Sequence, residues 1–221
     1  MRETDQDTGQ VDGILYVVRH GESEWNALGK WTGTTDVDLT DKGRKDARLM
    51  GELLRDTPID EVYVSEQIRT HQTADEMLGI MSRSRQHYHI SGAINERDYG
   101  VYTGKNKWEL KQEIGEEQFQ NIRRGWDCDV PDGENLKEVY NRVYPFYRDS
   151  VVPSLKKGKH VLLIAHGNSI RSLMKYIESI SDEDIADVEM IFGQVVVYWV
   201  SGNGKMVDKK ISAIETEPPP A

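Results

Sequence analysis

Two histidines stand where buried strands are expected to end, and a glycine follows each of them. His20 comes just after the apolar residues 14–18, and His166 comes directly after the apolar residues 161–165. Because α/β sheets bind ligands at the carboxyl ends of their strands, we expect both imidazoles to face one pocket. A neutral imidazole can attack a phosphoryl group directly. The pattern therefore indicates phosphoryl transfer through a histidine.

Two arginines could complete such a site. Arg19 precedes His20, and Arg69 lies near the start of the helix expected after the strand-like residues 61–64. A guanidinium donates planar, bidentate hydrogen bonds to phosphate oxygens, a geometry that lysine lacks. We expect Arg19 and Arg69 to stabilise the charge of the transferring group, and His166, if it is cationic, adds another donor. Each residue alone would more often be structural, and it is their combination that favours a site.

The elements that would position these residues alternate between strand and helix. Short apolar runs predict buried strands at residues 13–18, 61–64, 161–165 and 195–200. Apolar residues at helical spacing predict helices over residues 41–55, 67–78 and 135–152 and after residue 169. In the first of these helices the apolar residues are Leu49, Leu53 and Leu54. The alternation predicts an α/β fold, a three-layer sandwich whose central sheet is mostly parallel and is flanked by helices.

The length and composition favour one folded unit. A chain of 221 residues with 37% apolar and 30% charged residues suits a single medium-sized globular domain. No repeat or linker divides residues 13–214, which we expect to form one catalytic domain. The polar residues 1–12 and the proline-containing residues 215–221 are expected to be flexible tails.

The net charge, the apolar runs and the cysteine count limit the classes of molecule that the protein could bind and where it could be located. The net charge of −10 argues against nucleic acid, whose binding needs a basic face, but it does not exclude a small anionic substrate held by a local arginine cluster. No apolar run reaches the ~20 residues of a membrane-spanning helix, and residues 1–5 do not resemble a secretory signal. The single cysteine, Cys128, excludes an intramolecular disulfide. We therefore expect a cytoplasmic protein without a membrane partner.

Short motifs lie in order along nearly the whole folded region. They are Arg19-His20-Gly21-Glu22-Ser23-Glu24-Trp25-Asn26, Thr32-Gly33, Asn95-Glu96-Arg97 with Tyr99-Gly100, Gly104-Lys105-Asn106-Lys107, Arg123-Arg124, and Ala165-His166-Gly167-Asn168-Ser169. In these motifs the chain resembles the histidine phosphatase superfamily, and more narrowly the compact cofactor-dependent phosphoglycerate mutases. It departs from the family pattern at Thr34-Thr35, at Asp98 and at residues 192–195, where Phe-Gly-Gln-Val replaces the usual Thr-Gly-Val-Pro.

The resemblance implies a role for each of these residues. His20 would be the phosphorylated nucleophile, with Arg19, Arg69 and His166 around the phosphate. Glu96 would exchange a proton with the migrating oxygen as general acid and base. The remaining residues would bind the substrate: Arg97, Lys107, Arg123 and Arg124 its carboxylate and second phosphate, Tyr99 and Asn168 by hydrogen bonds, together with Ser23, Asn26, Thr32, Gly33 and Gly167. Without the motifs, Glu96 would be taken for a surface residue paired with Arg97, and Arg123-Arg124 for a solvated turn of a helix.

The same resemblance implies an isomerase that interconverts 3-phosphoglycerate and 2-phosphoglycerate in glycolysis and gluconeogenesis. It would be primed by 2,3-bisphosphoglycerate and would need no metal. Two alternatives stay open. Water could be the acceptor, which would give a phosphatase for a small phosphate ester, or the pocket could bind phosphorylated ligands without catalysis. The sequence leaves undetermined whether the protein is a monomer or a homo-oligomer.

Overall fold

A six-stranded sheet forms the centre of the computed structural model, which describes residues 11–217. Its strands are β1 (Gly13–Arg19), β2 (Glu61–Val64), β3 (His89–Ile90), β4 (His160–Ala165), β5 (Gln194–Val200) and β6 (Met206–Ala213), in the order β3-β2-β4-β1-β5-β6. The strands β3, β2, β4 and β1 pair in parallel, whereas β5 runs antiparallel to β1 and β6 runs antiparallel to β5. The prediction of a mostly parallel sheet is confirmed.

Helices cover both faces of the sheet, so the three-layer prediction is confirmed as well. On one face lie α2 (Asp41–Leu53) and α3 (Ile68–Ile80), and on the other lie α6 (Leu136–Phe146), α7 (Val152–Leu155) and α8 (Gly167–Ile177). Strand β1 serves both layers because its side chains alternate. Leu15 and Val17 pack in the core beside α6 and α8, while Tyr16 and Val18 pack in the core beside α2 and α3.

The predicted helices are present, and they differ from the sequence pattern in two details. Of the three predicted apolar residues, Leu49 and Leu53 are 37% and 43% exposed, whereas Leu54, directly after α2, is buried in the core together with Ala47 and Met50. The core-facing row is set by how the helix packs against the sheet. The predicted helix 135–152 is divided by a π-helical turn at Tyr147–Val151, and the proline at the start of α7 lacks the amide that would continue the α-helical ladder.

A separate cap of helices stands beside the carboxyl ends of the strands. It comprises α4 (Lys107–Ile114) and α5 (Glu116–Arg124), and the short helix α1 (Glu24–Ala27) precedes it in the chain. The cap has its own apolar core, formed by Trp31, Tyr99, Leu110, Phe119, Ile122 and Val130. This core fixes the end of α5, and therefore the arginine pair that ends it, over the strand edge.

The predicted tails fall largely outside the described residues, since 1–10 and 218–221 are not described. The parts that are described contact the folded domain. The Asp12 N–H donates to the Val200 carbonyl oxygen at 2.8 Å, and the Thr216 hydroxyl donates to Asp46 at 2.6 Å. Between residues 11 and 217, no helix is long and apolar enough to cross a bilayer.

Candidate active site

His20 and His166 lie side by side because the strands that precede them are neighbours. Strands β1 and β4 pair in a register that sets Arg19 opposite Ala165, so the next residue of each chain segment leaves the sheet at the same point. The two imidazole centroids are 4.9 Å apart, and the side chains are 2% and 0% exposed. The structure therefore brings the two distant histidines into one buried site.

The His20 imidazole is held as a neutral nucleophile. Its Nδ1 atom lies 2.6 Å from the carbonyl oxygen of Gly21, which can only accept, so Nδ1 carries the proton. Burial, followed by the positive charges of Arg69 and Arg19, lowers the pKa of His20 well below its usual value. At neutral pH the Nε2 atom therefore keeps a lone pair available for attack on phosphorus.

The turn after His20 is fixed by both helices of the adjacent layer. The Gly21 N–H donates to the Thr73 hydroxyl of α3 at 3.0 Å, and the Thr40 N–H donates to the Glu22 carbonyl oxygen at 2.9 Å. A Cβ atom at Gly21 would lie 2.4 Å from the carbonyl oxygen of Gly43 in α2. Only glycine fits this approach, so the turn is closely packed and His20 has little freedom to move.

The His166 imidazole is fully buried and is held in its neutral form. Its Nε2 atom lies 2.8 Å from the Ser65 hydroxyl, which follows strand β2. Burial lowers the pKa of His166 well below its usual value, and the charge of Arg69 and the neighbouring His20 add to this effect. The sequence could indicate the imidazole but not its complete burial among cations.

Arg19 and Arg69 flank the histidine pair, and each has a buried donor without a partner in the described part of the chain. The Arg69 Nη atoms donate to the carbonyl oxygens of Thr35 and Gly33 at 2.9 and 3.0 Å, and Arg19 Nη1 donates to the Met190 carbonyl oxygen at 3.0 Å. Among the described residues, neither Nε atom has a hydrogen-bond partner although both are buried. Burial lowers the pKa of Arg69 to about 10, so it stays cationic at neutral pH. Such unpaired donors suit the oxygens of an anion.

Glu96 presents one carboxylate oxygen that is held and one that is not. Oε1 accepts from the Arg97 N–H at 2.8 Å and from Asn168 Nδ2 at 3.1 Å. The orientation of the Asn168 amide is set by Arg171, which donates to its Oδ1 atom at 3.1 Å. Within the described part of the chain, Oε2 accepts no hydrogen bond, and it lies 3.7 Å from the position of a Cβ atom on Gly167. Oε2 is therefore the atom that can take up or give a proton.

A cavity opens beside these groups, and its walls are strongly positive. Five cationic side chains and two carboxylates line it: Arg19, Lys107, Arg123, Arg124 and Arg171, with Glu96 and Glu189. Burial, and then the charges of Arg19 and Arg123, lowers the pKa of Lys107 to about 8. This excess of positive charge in a chain of net charge −10 indicates an anionic ligand. Across residues 11–217, no group of three or more His, Cys, Asp or Glu side chains could hold a metal ion.

Several predicted substrate-binding residues lie outside the cavity wall. Arg97 is 1% exposed and its guanidinium donates to the Ile122 carbonyl oxygen at 2.7 Å, so it supports the end of α5. The Ser23 hydroxyl donates to Asn26 at 2.8 Å within the cap of α1, and Thr32 is buried. Gly33 accepts from Arg69 through its carbonyl oxygen. Tyr99, Lys107, Arg123, Arg124, Gly167 and Asn168 do line the cavity.

Four residues of the wall are not among the predicted site residues: Trp31, Arg171, Glu189 and Met190. Phe192 likewise has no predicted role. The Phe192 ring covers the Arg19 guanidinium at 3.7 Å and meets the His20 ring edge-on at 5.9 Å. A usable signal existed for Arg171, since it follows Asn168 by one helical turn. For Glu189, Met190 and Phe192 the path of the loop before β5 decides the position, and Trp31 is placed by the apolar core of the cap.

Comparison with known proteins agrees with this geometry. The model of the histidine phosphatase superfamily, branch 1, matches residues 15–210. The chain is 41% identical over 211 residues to a 2,3-bisphosphoglycerate-dependent phosphoglycerate mutase of Streptomyces avermitilis, with 83% of each chain covered. It is 38% identical to 2,3-bisphosphoglycerate-dependent phosphoglycerate mutase 2 of Latilactobacillus sakei, over 89% of this chain and 97% of that one.

A solved structure, Bacillus stearothermophilus YhfR, superposes with a TM-score of 0.75 at 25% identity and covers 89% of this chain and 100% of its own. The agreement thus extends from the sequence to the architecture. The chain therefore belongs to the histidine phosphatase superfamily, branch 1, and within it to the 2,3-bisphosphoglycerate-dependent phosphoglycerate mutases.

Proposed function

We propose that this chain interconverts 3-phosphoglycerate and 2-phosphoglycerate through a phosphohistidine at His20. Residues 13–214 act as one catalytic domain in the cytoplasm, and the substrate is a small phosphorylated carboxylic acid. The observation that carries the proposal is the neutral His20 imidazole, held 4.9 Å from that of His166 beside a cavity with five cationic side chains. One part of the site suits a transferring phosphoryl group, and another suits a second anionic group.

The enzyme is primed by 2,3-bisphosphoglycerate, which donates the first phosphoryl group to His20. His20 Nε2 forms the bond to phosphorus as the bond from phosphorus to the ester oxygen breaks. His20 needs to lose no proton, because its Nδ1–H keeps its hydrogen bond to the Gly21 carbonyl oxygen at 2.6 Å. That carbonyl oxygen also stabilises the positive charge that develops on the ring.

The guanidinium groups stabilise the charge of the phosphoryl oxygens. Arg19 and Arg69 offer the buried Nε–H donors that lack partners within the described residues. A phosphate dianion beside His166 would raise the pKa of that imidazole, since an opposite charge favours the cationic form. His166 would then become a donor to phosphate only when phosphate is present, which reconciles its neutral state here with a role in phosphate binding.

Glu96 moves the proton that the exchange requires. When the ester bond breaks, Glu96 Oε2 protonates the leaving alkoxide, and in the reverse direction it takes the proton from the attacking hydroxyl. Its other oxygen stays fixed by Asn168 at 3.1 Å, which keeps Oε2 in place during both steps. Lys107, Arg123 and Arg124 hold the carboxylate and the distal phosphate of the bisphosphate before and after the molecule reorients to present its other phosphate to His20.

Incubation with 2,3-bisphosphoglycerate labelled in its phosphates tests the central step. Wild-type protein should acquire label that is stable in alkali and lost in acid, as expected for phosphate attached to nitrogen, and His20→Ala should acquire none. His87→Ala is the matched control, because it removes an exposed imidazole far along the chain from the site and should label normally. Mutase flux and phosphate release from 3-phosphoglycerate are then measured on the same preparations.

Three results would change the proposal. Absence of label from the wild-type protein would remove the phosphohistidine step. Label that leaves only as inorganic phosphate, with no mutase flux, would establish the phosphatase alternative. Normal ligand binding by His20→Ala, together with a wild type that never becomes phosphorylated, would indicate a binding module.

A further inference from the structure

The cavity contains one carboxylate for which the proposed reaction has no use. Glu96 is proposed to transfer the proton, but Glu189 lies on the wall that is assigned to the second anionic group of the substrate. Its Oε1 atom accepts a hydrogen bond from Arg124 Nη2 at 2.5 Å. The guanidinium expected to bind substrate is thus already paired with a side chain of the protein.

Glu189 presents the same chemical group that the substrate would bring to this wall. Burial opposes ionisation of Glu189, but the hydrogen bond from Arg124 and the charges of Arg124, Arg123 and Arg19 together hold its pKa below the usual carboxyl value. The side chain is therefore an anion at neutral pH. A substrate carboxylate or phosphate that approaches Arg124 must overcome repulsion from Glu189 or replace it.

The geometry favours replacement. The Glu189 side chain is 48% exposed and belongs to residues 188–193, which form no regular helix or strand, so it can turn into solvent. Arg124 is anchored from behind, since its carbonyl oxygen accepts from Arg171 Nη2 at 2.8 Å. Departure of Glu189 would leave the Arg124 backbone in place to receive the new anion.

We propose that Glu189 is a built-in competitor for the second anionic group of the substrate. It occupies Arg124 in the resting enzyme and gives it up only to an external carboxylate or phosphate. A phosphate ester without a second anion gains nothing from Arg124, because it cannot displace the side chain. Glu189 therefore weakens the binding of ligands that carry a second anionic group, and it leaves the binding of simple phosphate esters almost unchanged. The identity of the substrate in this inference rests on the proposed function, whereas the pairing itself does not.

The substitution Glu189→Gln tests the competition because it removes the charge and keeps the size. Calorimetric titration with 3-phosphoglycerate should show binding about three- to tenfold tighter than in the wild type, and KM in the mutase assay should fall by the same factor while kcat does not rise. The difference should shrink in high salt, which screens the competing charge. Asp187→Asn is the matched control: it removes an exposed neighbouring carboxylate that does not line the cavity, so affinity should stay within about twofold.

A purely structural role gives the opposite result. If Glu189 only ties residues 188–193 to α5, the substitution will loosen Arg124 and binding will weaken or stay the same, and either outcome overturns the inference. Calorimetry needs no turnover, so tighter binding by Glu189→Gln in a protein without mutase activity would keep the inference and reject the proposed function. Mutase activity with unchanged affinity for 3-phosphoglycerate would do the reverse.

Discussion

The turn that carries His20 lies so close to helix α2 that one methyl group at Gly43 is expected to displace it. A Cβ atom at Gly43 would lie 2.1 Å from the Glu22 carbonyl oxygen and 2.8 Å from the Glu22 nitrogen. Non-bonded heavy atoms normally approach to about 3.5 Å, so the turn and the helix must separate by about 1 Å. The turn cannot yield freely, because Thr40 and Thr73 both hydrogen-bond to its backbone.

Gly43→Ala should therefore reverse the usual effect of this substitution. Replacing glycine by alanine inside a helix normally stabilises the protein by about 0.5–1 kcal/mol. Overpacking normally costs about 1–3 kcal/mol, so we expect a net loss of about 1–2 kcal/mol in the free energy of unfolding. In a domain of this size that loss lowers Tm by about 2–8 °C. Displacement of His20 by about 1 Å should also slow phosphorylation about 100-fold.

Gly79 supplies the control because it lies in α3, where the described residues leave open space around its Cβ position out to 4 Å. Gly79→Ala should raise Tm by about 1–4 °C and leave the rate of phosphorylation unchanged. Both variants are compared by calorimetry and by the rate of label uptake from 2,3-bisphosphoglycerate. If Gly43→Ala is as stable as Gly79→Ala and takes up label at the wild-type rate, the close packing of the turn does not position His20.

Three further predictions use the same preparations. Gly167→Ala should keep Tm within about 2 °C, because the new Cβ would lie at an ordinary contact distance of 3.6 Å from Arg19 Cζ. It should nevertheless slow phosphorylation at least about tenfold, because the methyl group fills space beside the phosphate site. A large drop in Tm would contradict this prediction. Phe192→Ala should shorten the half-life of the phosphate label on the protein about three- to tenfold, because the ring that covers Arg19 no longer excludes water. An unchanged rate of label loss would show that Phe192 does not shield the site from water. Burial lowers the pKa of His20 and of His166 in the folded chain, so below about pH 6.5 only the unfolded chain protonates them. As the pH decreases, the free energy of unfolding should therefore decrease by up to about 1.4 kcal/mol per pH unit for each histidine. Urea titrations that give the same slope in a His166→Gln variant would show that His166 does not contribute to this pH dependence.

Elements that are buried on both sides could be predicted from the sequence, and elements at the edge could not. Residues 61–64 form β2 as predicted, because a parallel strand between two layers must be apolar throughout. Strand β6 carries Asp208, Lys209 and Lys210 and is largely exposed, so it leaves no apolar signature. The cap helices α4 and α5 bury only Leu110, Phe119 and Ile122 between them, which is too few for a clear helical period.

The site divides in the same way. His20 and His166 could be placed together because strand ends in a parallel sheet converge, and only the pairing of β1 with β4 had to be assumed. In contrast, the direction in which a side chain of the cap region points could not be predicted. Arg97 carries the charge expected of a substrate ligand, yet its guanidinium is taken up by the carbonyl oxygen of Ile122 at 2.7 Å. The local sequence does not show which backbone carbonyl group of another segment will lie beside the Arg97 guanidinium in the folded chain.

The price of this site is charge that the fold keeps buried without full compensation. Arg19 and Arg69 each retain a buried Nε–H with no partner among the described residues, and an unsatisfied buried donor costs about 1–3 kcal/mol. Burial lowers the pKa of both guanidinium groups, which marks the same desolvation. A bound phosphoryl group would satisfy these donors without rearranging them, so the stability lost in the free protein becomes affinity and preorganisation for the anion. The two apolar cores on either face of the sheet, rather than the site, must supply the stability that tolerates this arrangement.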